Sequence, residues 1–155
     1  MSEKINNGGV IGPREMVELM RRSFFGEGGV EFADDAVYET PFALPGKPKS
    51  YKGPEAINAH FAERRADAMS AAMATLEIRA NEATVYESTD SEVVTFEFEL
   101  SGVSKVTGEP FRFTSTIGVL TVRNGKIVRW RDYPNFLGAA EVTGARTQLA
   151  ELIAG

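Results

Sequence analysis

Gly125-Lys126-Ile127-Val128-Arg129-Trp130-Arg131-Asp132-Tyr133 follows Asn124, and the Asn-Gly pair at its head signals a tight hairpin, because both residues tolerate positive φ. The stretch after the turn reads as a strand with side chains alternating between two faces. Ile127, Arg129, Arg131 and Tyr133 share one face; Val128, Trp130 and Asp132 share the other. The second set is the more apolar, so it is expected to point inward and to take Asp132 with it. A carboxylate so placed loses its water, which raises its pKa above the ordinary value of about 3.9. Such a group accepts and donates protons near neutrality. A structural hydrogen bond or an ion pair to Arg129 or Arg131 is the alternative reading of the same side chain.

Working back from this hairpin, the period is two as far as about Ala74. Leu76, Ile78 and Ala80 alternate with polar residues, as do Val94, Phe96, Phe98 and Leu100. Phe111, Phe113, Ser115, Ile117 and Val119 continue the pattern in the next strand. Earlier still, the spacing is helical. Pro13 suits a first helical turn, and Met16, Val17, Met20 and Phe24 form one apolar stripe. Phe32 to Asp35 reads as a turn, Ala36 to Pro41 as a short strand with Tyr38 and Thr40 on one face, and Phe42 to Lys52 as a loop. Pro54 opens a second helix whose apolar face is Ile57, Phe61 and Ala68, with His60 at its border. After the last strand, Asn135 is placed to cap a short helix ending near Gly144, and the remainder reads as a helical turn or tail. Helices segregated from a meander of antiparallel strands indicate an α+β fold. The curved sheet must cover its apolar face with the N-terminal helices, which leaves a cone-shaped barrel. The expected organisation is a flexible leader over 1–12, one domain over 13–144 and a C-terminal helical tail over 145–155.

Composition narrows the function. The 155 residues are 43% hydrophobic and 25% charged, ordinary for one globular domain. A net charge of −5 argues against a nucleic-acid partner, which needs a clustered basic face. The absence of cysteine removes disulfides and thiolate chemistry, and a single histidine, His60, removes a multi-histidine metal site. No run approaches the roughly 18 apolar residues of a membrane span. The polar first residues lack the apolar core of a signal peptide, so cytoplasmic residence is the default expectation.

The last hairpin resembles that of the nuclear transport factor 2-like, or SnoaL-like, superfamily, which includes ketosteroid isomerase-like members. Phe32-Ala-Asp-Asp-Ala-Val-Tyr-Glu-Thr-Pro41 and Tyr51-Lys-Gly-Pro-Glu-Ala-Ile57 resemble its first strand and second helix. The resemblance covers roughly Pro13 to Gly144 and implies a cone-shaped α+β barrel, a homodimer and a pocket for a small hydrophobic molecule. It further implies that Asp132 matches the last-strand acid of limonene-epoxide-hydrolase-like and phenazine-biosynthesis-type members. Tyr38 matches the water-holding tyrosine of the hydrolases, and Thr40 stands where they carry asparagine. Their Arg-x-Asp pair has no counterpart over Phe98 to Ser101, and Thr40 also replaces the aspartate base of steroid isomerases.

These residues lead to two expectations. The first is a cofactor-independent isomerase, cyclase or hydrolase of polyketide-cyclase type. Asp132 would serve as general acid/base, Tyr38 and Thr40 would hold an oxygen, and His60 would assist at the rim. Phe61, Phe96, Phe98, Phe113 and Trp130 would line the substrate pocket, since core and lining coincide in a hollow cone. The second is a non-catalytic binding module of the same fold. A homodimer is expected through the second face of the meander, read as Val93, Thr95, Leu120 and Val122.

Overall fold

The Asn124-Gly125 turn forms as its residues require. In a computed structural model, which describes residues 9–155, their φ angles are 54° and 75°. They join β5 (Pro110–Arg123) to β6 (Lys126–Pro134), with Arg123 paired to Lys126. Chain order is α1 (Pro13–Ser23), β1 (Phe32–Glu39), β2 (Ser50–Lys52), α2 (Pro54–Arg64), α3 (Ala68–Met73), β3 (Leu76–Glu87), β4 (Val93–Ser104), β5, β6, α4 (Phe136–Thr143) and α5 (Arg146–Ala154). The strands make one sheet in the order β2-β1-β6-β5-β4-β3. The sheet is curved and does not close. Every neighbouring pair is antiparallel except β1 with β6, whose parallel pairing sets Tyr38 beside Trp130.

The α+β class and the helical cover stand as expected. Met16, Val17 and Met20 of α1 pack against Val94, Phe96, Phe98, Leu120, Val122 and Ile127. Each large apolar side chain buried this way contributes about 1.5–3 kcal/mol. A second cluster joins Ala36, Tyr38 and Ile57, bringing α2 against β1. The cover is not only N-terminal: α4 lies on β5 and packs with α3 and α5. Asn135 caps α4 by accepting the Gly138 N–H at 2.8 Å.

Several element boundaries differ from the sequence expectation. Phe32 to Asp35 is not a turn but the start of β1, and β2 lies within the expected loop. Ala68 begins α3 rather than extending α2, because Asp67 caps a new helix through the Ser70 N–H at 2.8 Å. Phe24 falls beyond α1 and is 48% exposed. Of the expected leader, residues 1–8 lie outside the described residues, and Gly12 is the N-cap of α1. Among the described residues, no helix is long and apolar enough to cross a membrane.

Besides an irregularity in β1 between Phe32 and Val37, three one-residue β-bulges decide which side chains face the concave side. Each inserts one extra residue, and an insertion of one flips the parity of all that follows. In β6 the extra residue is Val128, so Ile127 is buried in the core and Trp130 and Asp132 still point inward. In β5 it is Ser115, so Thr116, Gly118, Leu120 and Val122 turn inward while Ile117 turns out. Leu120 and Val122 are therefore core residues and not part of an outer dimer face. In β3 it is Arg79, so Asn81 takes the inward place expected for Ala80. Gly102 lies across from this last bulge, where a Cβ would overlap the Glu77 carbonyl oxygen. Gly102→Ala should therefore lower stability by about 1–3 kcal/mol, seen as a lower thermal midpoint. An unchanged midpoint would show that the two strands are not this close.

Candidate functional site

Because β6 runs between β1 and β5, Asp132 is flanked by a side chain from each neighbour. Tyr38 on β1 donates its hydroxyl to Asp132 Oδ2 at 2.5 Å. Thr116 on β5 donates its hydroxyl to Oδ1, also at 2.5 Å. The Ser115 bulge is what turns Thr116 toward this carboxyl. Arg64, the last residue of α2, approaches from above the sheet: Nη1 donates to Tyr38 Oη at 3.1 Å and lies 3.8 Å from Asp132 Oδ2.

Asp132 is only 4% exposed. Burial pushes its pKa up, and the hydrogen bonds from Thr116 and Tyr38 and the charge of Arg64 offset only part of that rise. Burial and the neighbouring Asp132 push the Tyr38 phenol far up, so it stays protonated and remains a donor. Each carboxyl oxygen keeps a lone pair beyond the one its hydroxyl partner occupies. The group is thus held in one orientation without being saturated.

Asp132 lines a cavity of about 710 Å³ between the concave sheet face and the helices. Most of the wall is apolar, with Phe61, Phe98, Phe113 and Trp130 among its residues. This volume falls in the usual range for small-molecule sites. Phe96 does not reach it; that ring is fully buried in the core, 4.8 Å from the Phe98 ring. Tyr38 is likewise fully buried and meets the site only through its hydroxyl.

His60 and Thr40 belong elsewhere. Both line a smaller cavity of about 130 Å³ on the other side of Arg64. The His60 ring stacks on Tyr51 at 4.1 Å, and its Nε2 is buried without a partner. Burial and the charge of Arg64 push the His60 pKa down, which favours the neutral ring. Thr40 is buried and its N–H donates to the Lys49 carbonyl. The structure thus brings Asp132, Tyr38, Phe61, Phe98, Phe113 and Trp130 together and leaves His60, Thr40 and Phe96 apart from the carboxyl. Thr116 and Arg64 were absent from the sequence reading. Arg64 follows Phe61 by three residues and Ile57 by seven, so helical spacing alone places it on their face.

Residues 29–130 match the model of the SnoaL-like domain, a segment that stops two residues before Asp132. The YesE protein of Bacillus subtilis is 36% identical over 111 residues, covering 72% of this chain and 70% of its own. A PhzA/B-like protein of Pseudomonas aeruginosa is 31% identical over 127 residues, covering 80% and 82%. The crystal structure of a candidate isomerase from Bacillus subtilis superposes with a TM-score of 0.54 at 32% identity, over 85% of this chain and 86% of that one. The same fold recurs in a protein of Catenulispora acidiphila with a ketosteroid isomerase-like fold, at a TM-score of 0.54 and 19% identity over 89% of this chain and 98% of that one. With the matched segment spanning more than half of the sequence, and both curated relatives above 30% identity, the chain belongs to the SnoaL-like family.

Proposed function

We propose that the chain is a small-molecule isomerase or cyclase that uses Asp132 as general acid/base on an apolar substrate. The observation that carries this reading is a single one: a buried carboxyl with a raised pKa, fixed by two hydroxyl donors, opening on an apolar cavity. The candidate isomerase among its relatives agrees in reaction class. The reaction envisaged is proton movement next to a carbonyl. The carboxylate takes a proton from carbon, an enolate forms, and the carboxyl returns the proton at another position. Tyr38 and Thr116 stop the carboxyl from rotating, so the lone pair facing the substrate is aimed in advance. Arg64 sets how strongly the group holds its proton. The reading calls on no cofactor, since a positioned acid/base supplies on the order of 10²–10⁴-fold.

A homodimer remains part of the proposal, with its surface redrawn. Once Leu120 and Val122 are assigned to the core, the outer face of β4 and β5 offers Val93, Thr95, Ile117 and Val119.

The reaction can be tested without knowing the natural substrate. The protein is incubated with cyclic ketones in D2O, and deuterium uptake beside the carbonyl is followed by NMR. The wild type should exchange faster than buffer, and Asp132→Asn should lower that rate at least about 100-fold. Equal rates in the two proteins would remove Asp132 from the chemistry. A wild type that binds the ketones with no exchange above buffer would favour a non-catalytic binding module instead.

Arg64 gives a second test, with a definite sign. Its charge lowers the Asp132 pKa, so Arg64→Met should raise that pKa and move the acidic limb of the exchange-rate profile to higher pH. A limb that stays in place, or moves to lower pH, contradicts the electrostatic role given to Arg64.

A further inference from the structure

Asn81 does not fit the apolar lining around it. Its inward neighbours along β3 are Leu76 and Ile78 on one side of the bulge and Ala83 and Val85 on the other. Simple alternation would turn Asn81 to solvent, but the extra residue Arg79 turns it in. Asn81 is 3% exposed and is among the residues that line the main cavity, and its Oδ1 is buried with no hydrogen-bond partner. A buried amide left unpaired is destabilising, and an apolar side chain of the same shape would avoid the penalty. The fold gains nothing visible from an asparagine here. Across the cavity, the Trp130 indole N–H is also buried and unpaired, close to Asp132 along β6. Bulges next to binding sites characteristically re-aim one side chain toward a ligand.

We infer that Asn81 is a substrate-binding residue, whose amide accepts a hydrogen bond from a hydroxyl at the end of an elongated apolar substrate remote from Asp132. This rests on the reading of the cavity as the site where Asp132 acts. In sheet order β3 and β6 are separated by β4 and β5, which is three strand spacings, or about 14 Å along the sheet. A molecule in contact with both residues therefore crosses the inner face of β4 and β5. Its reacting oxygen lies near Asp132 and Trp130, its body lies against Phe98 and Phe113, and its second oxygen lies at Asn81.

The single tryptophan of the chain, Trp130, lines the cavity and reports binding through its fluorescence. The probes are stilbene, its singly hydroxylated form and the form hydroxylated at both ends. The wild type should bind the doubly hydroxylated probe about tenfold more tightly than the singly hydroxylated one. Asn81→Leu should abolish that preference while keeping the affinity for the singly hydroxylated probe. Should Asn81→Leu fail to fold, Asn81→Ala, which fits wherever asparagine does, is read in the same way. A wild type that does not distinguish the two hydroxylated probes, whether by equal affinity or by absent binding, overturns the inference. So does a preference that survives the substitution. Deuterium exchange by the wild type, read beside its probe preference, separates the two proposals. If the preference persists where deuterium exchange fails, only the catalytic reading falls. If exchange proceeds without the preference, only the role of Asn81 falls.

Discussion

A carboxyl group taken out of water must find hydrogen-bond donors or give up its charge. Asp132 is placed under that constraint by its own strand, since the apolar residues beside it face the concave side of the sheet. Its donors, Tyr38 and Thr116, come from the two strands that flank β6. That pair exists only because β1 runs parallel to β6 on one side while β5 runs antiparallel on the other. The parallel pairing closes over most of the chain, so the site is complete only once β1 has docked beside β6. Arg64 adds a charge from a distant part of the sequence, brought in at the end of α2 by the packing of Ile57 against Ala36 and Tyr38.

The opposing effects on Asp132 are unequal. Burial is the largest influence and raises the pKa; the two hydroxyl donors and Arg64 act against it without cancelling it. The phenol that holds the carboxyl is itself made harder to ionise by the same burial and by the charge it faces. Tyr38 and Asp132 therefore do not compete for the role of proton carrier. In the proposed reaction one is a fixed donor and the other the exchanging group, which is the division of labour that two acids in one site require.

Much of this was legible in the sequence. Asn124-Gly125 fixed the hairpin, and the apolar company of Trp130 put Asp132 inside. Asn135 and Gly144 bounded α4. What escaped the sequence was the bulges. Periodicity assumes an unbroken register, and the extra residues Val128, Ser115 and Arg79 each reverse it partway along a strand. That is why Ile127, Leu120 and Val122 were read as facing outward, and why Thr116 and Asn81 went unseen. His60 and Thr40 went astray for another reason. They lie on the right faces of α2 and β1, but Arg64 and the residues beside it line both of two cavities, and His60 and Thr40 line the one without the carboxyl. A wall assembled from Arg64, Asp67, Met69, Pro134 and Phe136, which lie on several elements, leaves no trace in an alternation pattern.

The central claim is that burial, rather than its hydrogen bonds, governs the proton affinity of Asp132. The most direct measurement is a carbon-13 NMR titration of the aspartate carboxyl carbons, with the Asp132 resonance assigned by its loss in Asp132→Asn. The account predicts that this resonance titrates clearly above the ordinary aspartate value of about 3.9. A midpoint at or below that value would show that Tyr38, Thr116 and Arg64 outweigh burial, and would contradict the account.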